Sequence, residues 1–371
     1  MAKVFLSNNR FCMIIPTYNR PDYLRRILNY YNEYGRDYDI CNIIVADSSS
    51  GENERINKET ISSLSSLNTS HRHYPSDVKR CFYYKIADSL NQAKTEYCVV
   101  CADDDFITPH GIKMAIEFLE NNPDFTCAHG SYIAFYSKAD ERARQQFYWM
   151  PIYPYKSITS PDAKTRLLLG FSNYCQTFYA VHRTDFLNMI WKETMKFASD
   201  TRFQEFLPSM LALVYGKMKR LDVLYDAREK MVDSAGSTSK NLRDFIKDGT
   251  YNEKYAGFKE CLAIHLSRTS QPNIDEAKKV VDEGMTAYMK KHSYSNEYFK
   301  GILMHKMKDI LDYSKLPRWI DEEIRTLYRR LFVLPKQMRL DDFRSSMDIL
   351  PSKYYDDFNK IRRHVLLYLK K

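Results

Sequence analysis

Residues 97–105 have the sequence YCVVCADDD, in which a short apolar run leads directly into three consecutive aspartates. A run of this length without polar alternation is typical of a strand buried on both faces, as in parallel sheets covered by helices. Ligands bind at the carboxyl ends of the strands in such sheets, which is where the aspartates stand. The segment therefore predicts both a fold class and the place of a functional site.

Two other apolar runs near the N-terminus also end in polar clusters. Residues 11–15 lead into the sequence PTYNR at 16–20, and residues 42–46 lead into Asp47. Helical periodicity separates the runs, and a further strand is predicted at 81–84. The pattern indicates an α/β fold with a mainly parallel sheet and helices on both faces. We expect the polar clusters to meet at one edge of this sheet.

The length of 371 residues predicts two domains. The α/β domain is expected to span residues 1–234, and the sequence SAGSTS at 234–239 has the composition of a linker. The segment 235–371 is predicted to be a helical C-terminal domain, ending in a basic amphipathic helix from 358. This helix either packs against the protein or touches an anionic membrane surface. A long loop is predicted at 148–161.

Composition excludes several classes of function. Only 11 of the 371 residues are glycine, under half the usual share of about 7%, and their spacing fits neither a dinucleotide fingerprint nor a P-loop. The net charge of +9 is spread along the chain. Without a basic stripe or a recognisable motif, no nucleic-acid partner is predicted. The excess charge is interpreted as a solvated face, an anionic small-molecule site or contact with an anionic membrane.

The eight cysteines are predicted to be reduced thiols. Cys98 and Cys101 have the spacing of a redox pair, but residues three apart on a strand point to opposite faces of the sheet. Reduced thiols indicate a cytoplasmic protein, with peripheral contact to the inner membrane face left open. His71 and His73 are interpreted as part of a solvated loop, with contact to phosphate or metal as the alternative.

The aspartate triplet predicts a metal site. Carboxylates held close together raise one another's pKa, and a divalent cation with diphosphate co-ligands relieves this repulsion. In an extended chain Asp103 and Asp105 would point to one side and Asp104 to the other. A turn or helix-capping cluster is the alternative interpretation.

Taken together, the three clusters resemble the nucleotide-sugar-dependent glycosyltransferases of GT-A fold, most nearly the inverting family 2. The resembling stretches are IIPTYNR at 14–20, IVADSS at 44–49 and AKTEYCVVCADDD at 93–105, within a region of about 10–230. The resemblance implies transfer of a sugar from a nucleotide-diphosphate donor, in particular a UDP-sugar, with Mn²⁺ or Mg²⁺. The implied acceptor is a glycan or lipid-linked molecule of bacterial surface polysaccharide synthesis. A sugar nucleotidyltransferase and a non-catalytic carbohydrate-binding or nucleotide-sugar-binding module are the alternatives.

The same resemblance implies roles for individual residues. Nucleotide binding falls to Pro16, Thr17, Tyr18, Asn19, Arg20, Asp47, Lys85, Asp103 and Asp104. Asp105 is the expected direct metal ligand, together with Asp103. The Asp47 carboxylate is expected to accept the imide N–H of uracil, and Lys85 to take the place of a family arginine at the phosphates. For Arg20, a surface position at a helix start is the alternative.

Inverting transfer also requires a general base opposite the leaving group. Family 2 enzymes place a Glu-Asp pair early in a helix that ends at a glycine. Here Gln204-Glu205 precedes Gly216 with similar spacing, so Glu205 takes the position of the base. Asp200 is the rival candidate, although its place before Thr201 is equally typical of a helix cap. For Glu205 the alternative is an exposed helical glutamate.

Overall fold

The computed structural model describes residues 10–38, 42–74, 82–139, 145–152, 156–229, 242–270, 273–293 and 352–368. The strands are β1 (Phe11–Thr17), β2 (Asn42–Asp47), β3 (Asn68–His73), β4 (Tyr97–Val100), β5 (Phe106–Ile107), β6 (Phe125–Ala139), β7 (Gln145–Ile152), β8 (Val181–Arg183) and β9 (Lys217–Glu229). The helices are α1 (Pro21–Tyr34), α2 (Glu52–Ser62), α3 (Phe82–Gln92), α4 (Pro109–Asn121), α5 (Ala163–Ser172), α6 (Thr184–Phe197), α7 (Thr201–Tyr215), α8 (Leu242–Lys247), α9 (Tyr251–Ser270), α10 (Ile274–Ser293) and α11 (Tyr355–Leu367). Short 3₁₀ turns lie at Arg36–Tyr38, Thr177–Tyr179 and Ser352–Tyr354.

The strands form one mixed sheet in the order β3-β2-β1-β4-β8-β6-β9-β5, with β7 added on β6. In the first half of this order, β3, β2, β1 and β4 all run parallel. Thr17 is in register with Asp47, and Ile14 is in register with Val100. The carboxyl ends of β1, β2 and β4 therefore meet at one edge. This confirms the predicted α/β fold.

The second half of the sheet mixes directions. Strand β8 runs antiparallel to β4 and β6, β6 and β9 run parallel, and β5 is antiparallel to β9. Phe106 pairs with Ala227 and Ile107 with Asp226. Because β5 follows the aspartates directly, this pairing brings the end of β9 beside them.

The predicted third strand at 81–84 is wrong. Residues 82–84 begin helix α3, and Tyr83, Ile86 and Leu90 bury one face of it at helical spacing. The strand in this place is β3, with the polar sequence NTSHRH. As an edge strand that is only partly buried, β3 has no apolar run to reveal it.

Two further predictions in the middle of the chain need correction. The predicted loop at 148–161 begins as strand, because β7 runs to Ile152 and pairs antiparallel with β6. The sequence also predicts a strand at about 176–181, but the structure has a 3₁₀ turn at 177–179 followed by β8 at 181–183. Strand β7 is held by pairing with β6, and β8 is held by pairing with β4 and β6. Local sequence pattern does not reveal such pairing.

Helices cover the sheet on both faces and form three apolar clusters. The first lies between the sheet, α1, α4 and α11, and the second contains α3 and most of the buried face of α6. The third joins α5 and α7 to α9 and α10. Cys101 lies in the first cluster and Cys98 in the second, so their sulfurs are on opposite faces, as predicted.

All the described elements after residue 241 are helical, in agreement with the predicted C-terminal part. The predicted boundary at 234–235 and its linker lie outside the described residues. The basic terminal helix corresponds to α11, whose residues Phe358, Ile361 and Val365 are buried in the first cluster. Within the described ranges, each helix is too short or too polar to cross a bilayer.

The Thr108 hydroxyl connects the start of helix α4 to strand β9. Its Oγ1 accepts from the Gly111 backbone N–H at 3.0 Å and donates to the Leu224 carbonyl oxygen at 2.6 Å, both in buried surroundings. Thr108→Val keeps the shape but leaves both groups unpaired, so the free energy of unfolding should fall by about 1–3 kcal/mol. Urea unfolding measures this value. The control is Thr165→Val, whose hydroxyl bonds Asp162 on the surface, with an expected change within about 0.5 kcal/mol. Equal losses in both variants would contradict the role given to Thr108.

Candidate active site

The aspartates after β4 form a turn that surrounds one guanidinium group. The Asp105 N–H donates to the Ala102 carbonyl oxygen at 3.2 Å. Arg20 donates from Nη1 to Asp103 Oδ1 and from Nη2 to Asp104 Oδ2, each at 2.8 Å. Since Asp103 and Asp104 face the same arginine, the predicted alternation of their side chains is wrong. The chain turns here and is not extended.

The loop after β1 holds Arg20 in this position. Asn19 has a φ of 52°, a left-handed conformation in which asparagine is enriched. Its N–H donates to Ser49 Oγ at 2.7 Å, and its side-chain oxygen accepts from the Ser50 N–H at 3.2 Å. Thr17 donates to Asp103 Oδ2 at 2.8 Å. Arg20 stands at the start of α1 and is part of a half-buried ion-pair network, with its side chain 29% exposed, whereas Tyr18 is 43% exposed.

Asp105 faces the end of β9. Its Oδ1 accepts from the Glu229 N–H at 3.1 Å, and its Oδ2 lies 4.0 Å from Arg228 Nε. Burial raises the pKa of Asp105 well above its usual range, and the carboxylates of Asp104 and Asp226 add to this shift. The surroundings of Asp105 therefore oppose its negative charge.

Arg228 is the nearest cation and is shared. It lies 2.9 Å from Asp226 Oδ2 and also donates to Gln176 Oε1. Burial opposes its charge, but Asp226 and Asp105 raise the pKa of Arg228 above its ordinary value. The sequence analysis missed Arg228 because nothing in its local pattern distinguishes it from other charges on a strand.

Asp47 is fully buried, and protein groups occupy both of its oxygens. Oδ1 accepts from the Ser49 N–H at 2.7 Å. Oδ2 accepts from Asn57 Nδ2 at 3.0 Å and lies 2.9 Å from His71 Nε2. Because Asp47 is fully buried, a uracil ring can reach the carboxylate only if a neighbouring group moves. The interpretation of His71 as a loop residue is wrong, because it lies on β3 beside Asp47.

Lys85 connects the loop after β1 to the loop after β2. Its ammonium group donates to the Thr17 carbonyl oxygen at 2.5 Å and to Ser48 Oγ at 2.8 Å. Burial lowers the pKa of Lys85 to about 8, although the charges of Asp103 and Asp47 act in the opposite direction. The predicted phosphate contact of Lys85 stays a prediction, since both present bonds are to protein.

One cleft brings Pro16, Arg20, the three aspartates and Arg228 together with the candidate base, whereas Thr17, Tyr18, Asn19, Asp47 and Lys85 do not line it. It is lined by Pro16, Arg20, Phe82, Tyr83, Ala102, Asp103, Asp104, Asp105, Gln176, Phe178, Tyr179, Thr201, Arg202, Glu205, Arg228 and Glu229. Gln176 Nε2 donates to Glu205 Oε1, and Arg202 Nη1 lies 3.5 Å from Glu205 Oε2. A chain of hydrogen bonds, Arg228–Gln176–Glu205, therefore joins the end of β9 to α7.

Asp200 has a different place. Its Oδ1 accepts from the Arg202 N–H at 2.7 Å, so it caps the N-terminus of α7, which confirms the helix-cap interpretation. Asp200 is not among the residues that line the cleft. Glu205 lines it with a side chain that is 13% exposed. The description of Glu205 as an ordinary exposed glutamate is therefore wrong.

The donor atoms at the aspartate turn fit a hard divalent cation. Carboxylate oxygens are the ligands that Mg²⁺ and Mn²⁺ prefer. Both oxygens of Asp103 already accept bonds, from Thr17 and Arg20. Among the residues that the structure describes, the cation facing Asp105 Oδ2 is Arg228, whose Nε lies 4.0 Å away. Of the two predicted ligands, Asp105 offers the more available oxygen.

Comparison with known proteins gives one family match and several similar structures. Residues 12–186 match the family model described as Glycosyl transferase family 2. The structure is similar to S. aureus TarS 1–349 at 14% identity, covering 77% of this chain and 73% of that chain with a TM-score of 0.46. It is also similar to the same TarS fragment in complex with UDP-GlcNAc, at 15% identity, covering 77% of this chain and 74% of that chain with a TM-score of 0.47. No curated protein matches the chain.

The family match identifies residues 12–186 as a Glycosyl transferase family 2 domain of GT-A fold. The resemblance stated from the sequence is confirmed. A transferase is accordingly favoured over the sugar nucleotidyltransferase and the non-catalytic module.

Asp47 is expected to stabilise the fold most above about pH 4. Burial raises the pKa of Asp47, but hydrogen bonds from His71, Ser49 and Asn57 together lower it to about 2. Because the folded value lies below the unfolded value of about 3.9, the stabilisation is complete above that value and is lost as the pH falls toward 2. Asp47→Asn removes the titration. Its deficit in free energy of unfolding, measured with urea, should be larger at neutral pH than at about pH 3. A deficit that is constant with pH would contradict this assignment.

Proposed function

We propose that the chain is a metal-dependent inverting glycosyltransferase. Its donor is a nucleotide-diphosphate sugar, in particular a UDP-sugar, and its acceptor is a glycan or lipid-linked molecule of bacterial surface polysaccharide synthesis. The observation that carries the proposal is the single cleft shared by Arg20, the aspartate turn and Glu205. Free thiols at all six described cysteines fit the cytoplasmic location that belongs to this proposal, with or without peripheral contact to the membrane.

The donor side consists of the loops after β1, β2 and β4. Ion pairs with Asp103 and Asp104 hold the Arg20 guanidinium in place. Burial lowers the pKa of Arg20, but the charges of these two carboxylates outweigh that effect and raise the pKa above its ordinary value. The cation therefore stays at the mouth of the cleft, where diphosphate oxygens would be placed. Asp47 is proposed to accept the uracil N–H after exchange with His71, the most exposed of its side-chain partners.

Asp105 and Asp103 are proposed to hold Mn²⁺ or Mg²⁺. When bound, such an ion would compensate the charge of the nucleotide-diphosphate leaving group. Arg228 lies on the other side of Asp105 and adds a fixed positive charge that does not depend on the ion. Asp226 holds this arginine in place at 2.9 Å.

Glu205 is proposed to take the proton of the acceptor hydroxyl. Gln176 donates to Oε1 and so fixes the orientation of the carboxylate. Oε2 has a long contact of 3.5 Å with Arg202 and is the better placed atom for the proton. A positioned carboxylate of this kind contributes typically about 10²–10⁴-fold to the rate.

Asp105→Ala tests the metal site and the donor together. Wild type should release UDP from UDP-sugars with Mn²⁺ present, and Mn²⁺ should tighten UDP binding in calorimetry. In the variant this Mn²⁺-dependent gain in UDP affinity should fall by at least about tenfold. Even the loss of a residue that only hydrogen-bonds a metal ligand typically lowers metal affinity by that factor. UDP binding in the presence of EDTA should stay nearly constant.

The matched control is Asp222→Ala, which removes a carboxylate from an aspartate whose side chain is 72% exposed. It should behave as wild type. Full Mn²⁺ dependence in Asp105→Ala would rule out the proposed metal site. An absence of UDP release from every UDP-sugar tested, by wild type with Mn²⁺, would speak against the proposed donor.

Glu205→Gln tests the base. The amide keeps the size of the side chain, and its oxygen can still accept the hydrogen bond from Gln176, but it cannot take up the proton of the acceptor. We therefore expect kcat to fall by about 10²–10⁴-fold with little change in donor affinity. Asp200→Asn keeps a capping side chain and should retain near-full turnover. The reverse result, an active Glu205→Gln and an inactive Asp200→Asn, would move the base to Asp200. Activity in both would contradict the inverting mechanism proposed for this helix.

A further inference from the structure

Three helices meet at a second cluster of reactive side chains, separate from the cleft. Glu193 lies on α6, Tyr215 is the last residue of α7, and Cys261 and His265 lie on α9. The carboxylate, thiol and imidazole atoms of Glu193, Cys261 and His265 lie within 4.8 Å of one another. None of the four residues lines the cleft described above.

The arrangement of α9 explains why the cluster forms. Cys261 and His265 are four residues apart, so they share one face of the helix. Cys261 is fully buried and His265 is 2% exposed, whereas the Glu193 side chain is 26% exposed. The cluster is therefore closed on the side of α9 and open to solvent beside Glu193.

Each ring nitrogen of His265 has its own partner. Nε2 lies 3.1 Å from Glu193 Oε2, and Nδ1 lies 2.5 Å from the Tyr215 hydroxyl. Cys261 is a buried free thiol. One imidazole nitrogen, one thiol and one carboxylate thus converge, with a hydroxyl group behind the imidazole.

We propose that Glu193, Cys261 and His265 bind a Zn²⁺ ion. Zinc takes cysteine sulfur, histidine nitrogen and carboxylate oxygen in tetrahedral sites, and a three-residue site completes its coordination with water. The open side beside Glu193 is where that water would enter. One thiolate and one carboxylate balance the two positive charges of the ion, so the occupied site carries no net charge.

Tyr215 has the role of an outer partner. A histidine that binds zinc through one nitrogen almost always donates its other N–H to an oxygen, which fixes the ring. Without the ion, Tyr215 donates to Nδ1 and Nε2–H donates to Glu193. With zinc on Nε2, the ring proton sits on Nδ1 and donates to Tyr215. The Cys261 thiol loses its proton to solvent, so binding releases one proton without any oxidation or reduction.

The position of the site gives it a structural role. Glu193 and Tyr215 belong to the helices beside the sheet, whereas Cys261 and His265 belong to the first long helix after residue 241. An ion held by both sides would fasten the C-terminal helices to the catalytic part. Such an ion stabilises the folded state because it binds the native arrangement preferentially.

Co²⁺ titration into metal-free protein tests the proposal, because a thiolate ligand gives Co²⁺ a near-ultraviolet charge-transfer band. We expect the band in wild type and also in Asp105→Ala, which lacks the proposed ligand at the cleft. Cys261→Ser should lose it. The matched control Cys127→Ser removes another buried thiol of the same apolar cluster and should keep it. A failed metal site at Asp105 would leave these results unchanged, so the two proposals are tested separately.

Two milder variants cover the case in which Cys261→Ser does not fold. Tyr215→Phe removes only the outer hydroxyl and should weaken Zn²⁺ binding by about 10–100-fold. Glu193→Gln removes a ligand at the open side and should weaken it at least as much. Elemental analysis of Asp105→Ala after dialysis should find one zinc per chain. No thiolate band in wild type, or a band that persists in folded Cys261→Ser, would overturn the proposal and leave the cluster as a hydrogen-bonded group only.

Discussion

The site depends on the neutralisation of carboxylates that the sheet buries at its edge. The acids are Asp103, Asp104, Asp105, Asp226 and Glu229, and the guanidinium groups that contact them are Arg20, Arg26 and Arg228. These five carboxylates outnumber the three guanidinium groups that contact them, and the buried Lys85 adds a further positive charge near Asp103. Burial raises the pKa values of Asp103, Asp105 and Asp226, because these groups are removed from water.

The antiparallel pairing of β5 with β9 creates much of this charge pattern. It places Arg228 and Glu229 beside aspartates that precede them by more than 120 residues in the chain. Arg26 of α1 bonds both Glu229 at 2.6 Å and the Asp104 carbonyl oxygen at 3.1 Å. The aspartate turn is therefore held from both sides, by α1 and by β9. Its shape is set before any ligand enters.

The sequence predicted those parts of the site that follow from local pattern. Apolar runs that end in polar clusters located the loops after β1, β2 and β4, because each strand and its terminal loop are adjacent in the chain. Arg228 and Gln176 were not predicted, since their roles arise only when β9 and the 3₁₀ turn before β8 reach the cleft. The edge strand β3 was missed for a related reason: its hydrogen bonds to β2 hold it in place, and apolar burial contributes little.

The packing of α11 has a consequence for how the protein is made. Phe358, Ile361 and Val365 complete the apolar cluster around α1, which contains Ile27 from the start of the chain. A nascent chain on the ribosome cannot bury this face of α1 until the helix at Tyr355–Leu367 has been synthesised. Contacts of such sequence separation are slow to form and leave apolar surface exposed in the meantime. Translation thus delivers α1 and the strands of the sheet well before the helix that completes their apolar core.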